Sequence, residues 1–396
     1  MRFRNFGKLE WKGSALGFGC MRLPTTDGKR ISANIDEAEA VRMIRHAIDH
    51  GVNYVDTAYP YHGGNSELVL GKALRDGYRG KVKLATKLPT WMVQGPADFD
   101  RLLDEQLRKL ETEHIDFYLL HSLSRTRWRD IVLKHDLLAK SEQALADGRI
   151  GYLGFSFHDD YQAFEEIVNG YERWTFCQIQ YNYMDTETQA GSKGLALAAG
   201  KGLAVVVMEP LLGGRLADPP LKVRELLGPP QRAKGTGDPR GNAGRTPADW
   251  ALQWLWDQPE VSIVLSGMTR MKQVEENLSS ARRAQPRSFS KAEFELIERV
   301  RSIYRERTAV PCNECSYCMP CPNGVNIPNN FHFFNYAHLY DDLAGARFKY
   351  QAFLPPEQRA EACLDCNSCE EQCPQKIPVS EWMPRVSALL GEAKPS

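Results

Sequence analysis

Short apolar segments alternate with segments of helical periodicity from the N-terminus to Ala281, and this alternation restricts the fold more than any other feature. Eight apolar segments read as strands, each followed by a helical pattern: ALGFGCMRL, NYVDTA, VKLATKLP, IDFYLLH, YLGFSFH, FCQIQYN, LAVVVMEP and VSIVLSGM. Strands that are apolar throughout indicate a parallel sheet buried on both faces. The count of eight favours a closed (β/α)8 TIM barrel, of the α/β class. An open doubly wound sheet is the alternative, but no GxGxxG motif follows the first strand, which weakens it.

Length and charge balance narrow the possible functions. The chain has 396 residues, with 50 Lys plus Arg and 50 Asp plus Glu, so it has no overall electrostatic attraction to nucleic acid or an anionic membrane. No apolar run approaches the roughly 20 residues of a membrane span, and the N-terminal MRFRNFGKLEWKGS lacks the apolar region of a secretory signal. We therefore expect a soluble, cytoplasmic protein that acts on a small molecule, with no nucleic-acid or membrane partner.

Cysteines divide the chain into two parts. Of the ten, only Cys20 and Cys177 precede residue 300, and the other eight lie in the segments PCNECSYCMPCP and ACLDCNSCEEQCP. The second segment is the CxxCxxCxxxCP run of bacterial [4Fe-4S] ferredoxins, whereas the first has two residues before its last cysteine. Zinc is the alternative, because four thiolates also bind that metal. The pattern favours an iron–sulfur module, with a helix between the two runs.

The cysteine positions predict domain boundaries and metal ligands. We expect a barrel over residues 1–289, a helical linker over 290–310 and a small helical ferredoxin-like module over 311–396. In two-cluster ferredoxins the last cysteine of each run binds the other cluster. By that rule one [4Fe-4S] cluster takes Cys312, Cys315, Cys318 and Cys373, and the other takes Cys363, Cys366, Cys369 and Cys321.

Four polar residues at the ends of successive strands have the chemistry that carbonyl reduction requires. Asp56 and Tyr61 follow the second strand, Lys87 ends the third, and His121 ends the fourth. The phenol of Tyr61 is a proton donor, but its free pKa of about 10 is too high for neutral pH. A nearby Lys87 ammonium would lower that pKa, Asp56 would hold the ammonium in place, and His121 would orient the carbonyl oxygen.

This pattern resembles the aldo-keto reductase superfamily over residues 1–285. DTAYPY contains Asp56 and Tyr61 at the family's spacing, ATK contains its lysine, and DFYLLH contains its histidine. The resemblance implies a catalytic tetrad in a TIM barrel, with NADP(H) bound across the barrel mouth without a Rossmann motif. With the cysteine module included, the chain resembles aldo-keto reductases that have a C-terminal ferredoxin-type domain.

The same resemblance implies positions that bind the nucleotide. Ser156 and Gln178 match residues that hold the nicotinamide carboxamide, and SGMTRMKQVEEN matches the segment that receives the adenosine end at a helix N-terminus. The implied cofactor-binding residues are Met21, Ser156, Gln178, Met208, Glu209, Leu211, Gly267, Thr269, Gln273, Glu276 and Asn277.

Three of these positions depart from the family pattern. Met208 stands where an aromatic ring usually stacks on the nicotinamide. Gly267 and Gln273 replace basic residues that some members use for the 2′-phosphate, so NAD stays possible beside NADP. The basic groups that could substitute are Arg270, Lys272 and those of the loop Ala217–Arg245. We interpret that loop as a lid over a phosphate-bearing cofactor, with a solvated mobile loop as the alternative.

The sequence therefore predicts an NADP-dependent oxidoreductase that transfers a hydride between nicotinamide and a carbonyl or alcohol substrate, with Tyr61 as proton donor. One or two [4Fe-4S] clusters would serve structure or exchange electrons with a redox partner protein. The alternative is a redox-sensing or nucleotide-binding regulatory protein that uses the clusters to signal to a partner. The complete tetrad favours the enzyme, because a sensor has no need of the four acid–base residues.

Overall fold

The computed structural model describes residues 1–29, 32–228 and 244–391. Its strands are β1 (Phe3–Phe6), β2 (Leu9–Ser14), β3 (Leu16–Gly19), β4 (Tyr54–Asp56), β5 (Lys83–Leu88), β6 (Ile115–Leu123), β7 (Ile150–Phe157), β8 (Phe176–Gln180), β9 (Ala204–Met208) and β10 (Val261–Gly267). Strands β3 to β10 pair in sequence order, and β10 pairs with β3 to close the barrel. Each of these pairings is parallel. The predicted TIM barrel is confirmed.

The helices occupy most of the segments between the strands and most of the C-terminal region. Their bounds are α1 (Glu37–Asp49), α2 (Ser66–Ala73), α3 (Ala97–Lys109), α4 (Arg125–Arg127), α5 (Leu137–Ala146), α6 (Tyr161–Asn169), α7 (Gly191–Gly200), α8 (Leu221–Leu227), α9 (Pro247–Asp257), α10 (Met271–Ala281), α11 (Lys291–Arg307), α12 (Ile327–Tyr340), α13 (Leu343–Phe353), α14 (Ser368–Gln372) and α15 (Val379–Leu390). None of the helices in the described ranges is both long enough and apolar enough to cross a membrane.

Side-chain caps explain where several helices begin. Asp36 accepts a hydrogen bond from the backbone N–H of Glu39 at the start of α1, and Asp160 does the same for Ala163 at the start of α6. The segment between β6 and β7 does not form a single helix after residue 127. A π-helical turn over Trp128–Leu133 is separated from α5 by Asp136, whose φ of 52° is left-handed and interrupts the helix.

The hairpin β1–β2 contributes to the core at the amino ends of the barrel strands. Phe6 is fully buried, and its ring lies 4.7 Å from that of Phe117 and 5.7 Å from that of Phe176. Phe117 and Phe176 belong to β6 and β8, near the beginning of each strand. These rings fill the amino end of the barrel. The polar side chains at the strand ends lie at the opposite, carboxyl end.

The chain divides into two compact units. The first contains residues 1–211 and 248–288 and holds the barrel, and the second contains residues 212–247 and 289–396. The second unit has its own apolar core, which includes Phe331, Phe334 and Val386. Within it, the side chain of Asn335 bonds both the N–H and the C=O of Val310, which fixes the chain just before the first cysteine run.

Candidate active site

The four predicted catalytic residues come from three adjacent strands. Asp56 is the last residue of β4, Lys87 lies near the end of β5, and His121 lies near the end of β6. Tyr61 follows β4 in a 3₁₀ turn over Tyr61–Gly64. Because parallel strands end at the same edge of a barrel, these side chains meet at its carboxyl-end mouth.

A buried ion pair lies at the centre of this group. The ammonium of Lys87 lies 2.5 Å from Oδ1 of Asp56 and donates a second hydrogen bond, of 2.7 Å, to the carbonyl oxygen of Thr57. The amide of Gln178 donates to the other carboxylate oxygen at 3.0 Å. Lys87 is 0% exposed and Asp56 is 3% exposed. Burial raises the pKa of Asp56, while the Lys87 ammonium and the Gln178 amide oppose that rise.

Tyr61 and His121 lie next to the ion pair. The Lys87 ammonium lies 5.0 Å from the centre of the Tyr61 ring. The rings of Tyr61 and His121 meet edge to face, with centroids 6.1 Å apart. A cation beside the phenol stabilises negative charge left on it after proton donation, so the arrangement supports acid catalysis by Tyr61.

A buried hydrogen-bond network fixes the end of β5 from behind. The Gln106 amide donates to the carbonyl oxygen of Lys87 at 3.0 Å and to Oε1 of Glu67 at 2.7 Å. Thr86 also donates to Glu67, and Tyr118 donates to the Gln106 side-chain oxygen. The lysine backbone is therefore held by side chains from α2, α3 and β6, which fixes the origin of the Lys87 side chain.

Burial favours the neutral form of His121 and of His158 at the mouth. Burial, aided by the Lys87 and Arg127 cations and by His158, puts the pKa of His121 well below its usual value. Burial also lowers the pKa of His158 to about 4, with Arg127 acting in the same direction and a hydrogen bond to Gln189 opposing it. At neutral pH these imidazoles can position a substrate oxygen through hydrogen bonds but hold no ionisable proton to give away.

The residues assigned to the nicotinamide carboxamide lie beside the catalytic group. Ser156 in β7 and Gln178 in β8 are adjacent in the strand register. Ser156 Oγ accepts a hydrogen bond of 2.7 Å from the N–H of Ser122, so its hydroxyl proton is left to donate. Gln178 contacts Asp56, as described above, and therefore links the carboxamide position to the ion pair.

The residues assigned to the rest of the nucleotide lie at the ends of β3, β9 and β10. Met21 lies in the turn after β3, Met208 ends β9, and Glu209 follows it with a left-handed φ of 55°. The carbonyl of Glu209 accepts a hydrogen bond of 3.0 Å from Asn182. Leu211 is the last residue of the first unit before residue 248.

The adenosine segment is ordered by its own side chains. Gln273 Oε1 accepts hydrogen bonds from the N–H of Thr269 at 2.8 Å and from that of Arg270 at 3.2 Å, which shapes the start of α10. Asn277 bonds Ser266 at 3.0 Å, and Glu276 lies 3.8 Å from Lys272. Several of these predicted ligands therefore also hold the loop in shape.

Arg22 is a candidate nucleotide-binding residue that was not predicted from the sequence. Arg22 lies in the turn after β3. A Cβ atom added at Gly267 would lie only 3.1 Å from the Cβ of Arg22. Its Nη2 atom is buried and makes no hydrogen bond within the described residues. The Arg22 side chain thus occupies the space that Gly267 leaves beside the adenosine segment. An arginine directly after Met21 was the available signal.

Most of the predicted basic lid, including Arg232, Lys234 and Arg240, lies outside the described residues. In the described part, Arg224 pairs with Asp218 at 2.9 Å and Arg245 pairs with Glu293 at 2.9 Å.

Seven of the eight C-terminal cysteines lie close to others of the group. One cavity is lined by Cys321, Cys363, Cys366 and Cys369, the four thiols expected to share a cluster. Burial raises the pKa of the Cys318 thiol, and Cys312, Cys373 and Cys369 raise it further. All eight are free thiols rather than disulfides. Across the described ranges, no three His, Cys, Asp or Glu side chains converge on a point that could hold one metal ion.

A closed parallel barrel with a buried lysine–aspartate pair, a tyrosine and a neutral histidine at its mouth defines a (β/α)8 oxidoreductase. The family comparison identifies which one. Residues 15–302 match the model of the aldo/keto reductase family, and the chain belongs to that family. It is therefore an NAD(P)H-dependent oxidoreductase. Residues 311–377 match a 4Fe-4S dicluster domain, which favours iron–sulfur over zinc.

Relatives of known sequence and structure agree with this assignment. A probable aldo-keto reductase from Glycine max is 24% identical over 301 residues, covering 69% of this chain and 82% of that protein. An uncharacterized oxidoreductase, YrpG, of Bacillus subtilis is 26% identical over 310 residues, covering 71% and 91%.

Solved structures match over the barrel. The holo form of an aldo-keto reductase from Bacillus halodurans has a TM-score of 0.59 and 26% identity, over 76% of this chain and 96% of that one. An aldo/keto reductase from Klebsiella pneumoniae in complex with NADP and acetate has a TM-score of 0.57 and 26% identity, over 75% and 94%.

The buried neutral histidines predict a specific pH dependence of stability. The unfolded chain protonates its histidines below pH about 6.5, whereas folded His158 resists protonation down to about 4, so folding free energy is lost as pH falls through this window. Between pH 7 and pH 5 we expect His158 alone to cost about 2 kcal/mol. Denaturant unfolding of the wild type and of His158→Asn at both pH values measures this cost. On acidification His158→Asn should lose less stability than the wild type. The control His50→Asn, at an exposed histidine, should lose as much as the wild type. Equal losses in all three proteins would contradict the prediction.

Proposed function

We propose that the barrel catalyses hydride transfer between NADP(H) and a carbonyl or alcohol substrate, with Tyr61 as the proton donor in the direction of reduction. The observation that supports this most directly is the buried Lys87–Asp56 pair beside the Tyr61 ring. Bound NADPH supplies the hydride, and the protein must supply a proton to the carbonyl oxygen. The tetrad is suited to that step.

The neutral state of His121 decides which residue is the acid. Because burial and neighbouring cations keep its pKa low, His121 has no imidazolium proton to donate at neutral pH. It can still hold the substrate oxygen with a ring N–H. The Lys87 ammonium already donates to Asp56 and Thr57, so Tyr61 gives up its proton and Lys87 stabilises the charge left behind.

The nucleotide is proposed to lie along the carboxyl ends of β7 to β10 and β3. Ser156 and Gln178 would hold the carboxamide, Met21, Met208, Glu209 and Leu211 would flank the nicotinamide and diphosphate, and the segment from Gly267 to Asn277 would receive the adenosine. The buried, unbonded Nη2 of Arg22 supports a phosphate beside Gly267. We propose NADP(H) rather than NAD(H) for this reason.

Replacement of Tyr61 by Phe should abolish carbonyl reduction and leave nucleotide affinity nearly intact. The hydroxyl acts only when charge develops on the substrate oxygen, so its loss should lower kcat by at least about 100-fold. The measurement is steady-state reduction of an aldehyde together with a fluorescence titration of NADPH. Tyr59→Phe is the matched control, because the Tyr59 hydroxyl bonds Glu105 at 3.0 Å, away from the tetrad. If Tyr61→Phe kept most of its kcat, the acid would have to be another group.

Replacement of Arg22 by Met should weaken NADPH binding more than NADH binding. One lost charge-assisted bond to phosphate corresponds to about a tenfold rise in Kd or more. Titration of both nucleotides by fluorescence gives the two constants without any turnover. Arg129→Met serves as the control, since Arg129 is exposed and pairs with Glu166 at 2.7 Å, outside the proposed nucleotide-binding residues. Unchanged NADPH affinity in Arg22→Met would refute the assignment of Arg22.

We propose that the C-terminal module holds two [4Fe-4S] clusters with the crossed ligand sets given above. The cavity lined by one complete set of four cysteines supports this pairing, and so does the proximity of Cys312, Cys318 and Cys373. We further propose that the clusters stabilise the module or exchange electrons with a separate redox protein. The reason is electron counting: nicotinamide gives up two electrons as one hydride, whereas each cluster accepts one.

NADPH alone should therefore leave the clusters oxidised. Anaerobic protein that contains about eight iron ions per chain, as two cubane clusters require, is mixed with NADPH without a mediator and examined by EPR. No reduced-cluster signal should form within the turnover time, whereas dithionite should produce one in the same sample. Stoichiometric cluster reduction by NADPH would show that the protein splits the electron pair itself.

A further inference from the structure

An arginine at the barrel mouth lies next to the catalytic histidine through a tryptophan. The guanidinium carbon of Arg127 lies 5.3 Å from the Trp91 ring centre, and that ring lies 5.0 Å from the ring of His121. Trp91 is 37% exposed, so the stack is open to solvent on one side. The three groups form a short row that begins where the substrate oxygen is expected to sit.

A bulge in β6 creates this arrangement. Between Leu120 and Leu123 the strand has one residue more than its neighbour β7, and Ser122 takes a left-handed φ of 57°. The guanidinium Nη1 of Arg127 donates to both the carbonyl and the hydroxyl of Ser122, at 2.7 Å each. The arginine head is thus held in one place by the same bulge that contains His121.

The Arg127 cation lies close to the tetrad. Asp56, the catalytic carboxylate, is paired with Lys87 and bonded by Gln178, so its charge is compensated. Arg127 acts on both His121 and His158, and it disfavours the protonation of each. An ordered guanidinium beside a tryptophan face is a good receptor for a planar anion such as a carboxylate.

We infer that Arg127 and Trp91 form a subsite for an anionic group of the substrate, so that the enzyme acts on short carbonyl compounds with a carboxylate or phosphate. This inference rests on the proposed function, because the carbonyl is placed at Tyr61 and His121. The Arg127 guanidinium contacts Trp91, and Trp91 contacts His121. These two contacts limit the distance between the bound anion and the carbonyl group. The anion and the carbonyl are separated by a few carbon atoms, as across one aromatic ring.

The test compares matched substrates that differ only in charge. 4-Carboxybenzaldehyde and its methyl ester have the same aldehyde on the same ring, and glyceraldehyde 3-phosphate and glyceraldehyde form a phosphate pair. Wild-type protein should prefer each anion over its neutral partner by at least about tenfold in kcat/KM. Arg127→Gln should lose about 10- to 100-fold on the anions, mainly through KM, and change the neutral compounds by less than about threefold. Arg127→Lys should recover part of the preference.

Arg125→Gln is the matched control, because Arg125 is two residues away and pairs with Asp160 at 3.0 Å and with Glu166 at 3.6 Å. It should keep the preference for anions. An equal loss on charged and neutral substrates in Arg127→Gln would overturn the inference and leave Arg127 as a residue that only holds the bulge. A wild type that reduces acid and ester equally well would also overturn it.

Binding without turnover separates this inference from the proposed function. Benzoate is titrated by calorimetry into the NADP⁺ complex of the wild type and of Arg127→Gln. A Kd that rises at least tenfold in the variant supports the subsite even if no aldehyde is reduced. Unchanged benzoate affinity refutes the subsite even if aldehydes are reduced.

Discussion

The hydrogen-bonded pair of Lys87 and Asp56 is the interaction on which the active site depends. Both groups lie in the barrel interior, where loss of either partner from such a pair typically costs about 3–5 kcal/mol because it leaves an uncompensated charge. Two further hydrogen bonds stabilise the pair: the Lys87 ammonium donates to the Thr57 carbonyl oxygen, and the Gln178 amide donates to the Asp56 carboxylate. The pair spans β4 and β5, so strand pairing, barrel closure and the network around Glu67 all serve to keep one ammonium close to one phenol.

The two units are suited to different electron chemistry. In the proposed function the barrel transfers an electron pair and a proton, and burial favours the neutral form of His121 and His158. The cysteine module is proposed to hold [4Fe-4S] clusters, which exchange single electrons. We therefore assign the substrate reaction to the barrel. The cysteine module is assigned structural support or electron exchange with another protein.

The barrel and the grouping of the tetrad could be predicted because they depend on local patterns. Apolar strands of parallel sheet repeat at regular intervals, and each tetrad residue stands at the end of its own strand. Arg22 could not be found that way, because its place beside Gly267 arises only when β10 closes against β3. The bulge at Ser122 was equally hidden, since nothing in LLHSL marks a serine that must take a positive φ. The break at Asp136 is a second case of backbone geometry without a sequence signal.

The aromatic rings around Phe6 also bear on the order in which nucleotide and substrate would bind. With the amino end of the barrel filled, the proposed binding mode would place the nucleotide and the substrate in the same opening, at the carboxyl ends of the strands. A nicotinamide that reaches the depth of Gln178 must enter before a substrate that then covers it, and it must leave after the product. Such compulsory order makes nucleotide departure, a step in which no bond is made or broken, a natural bottleneck of the cycle.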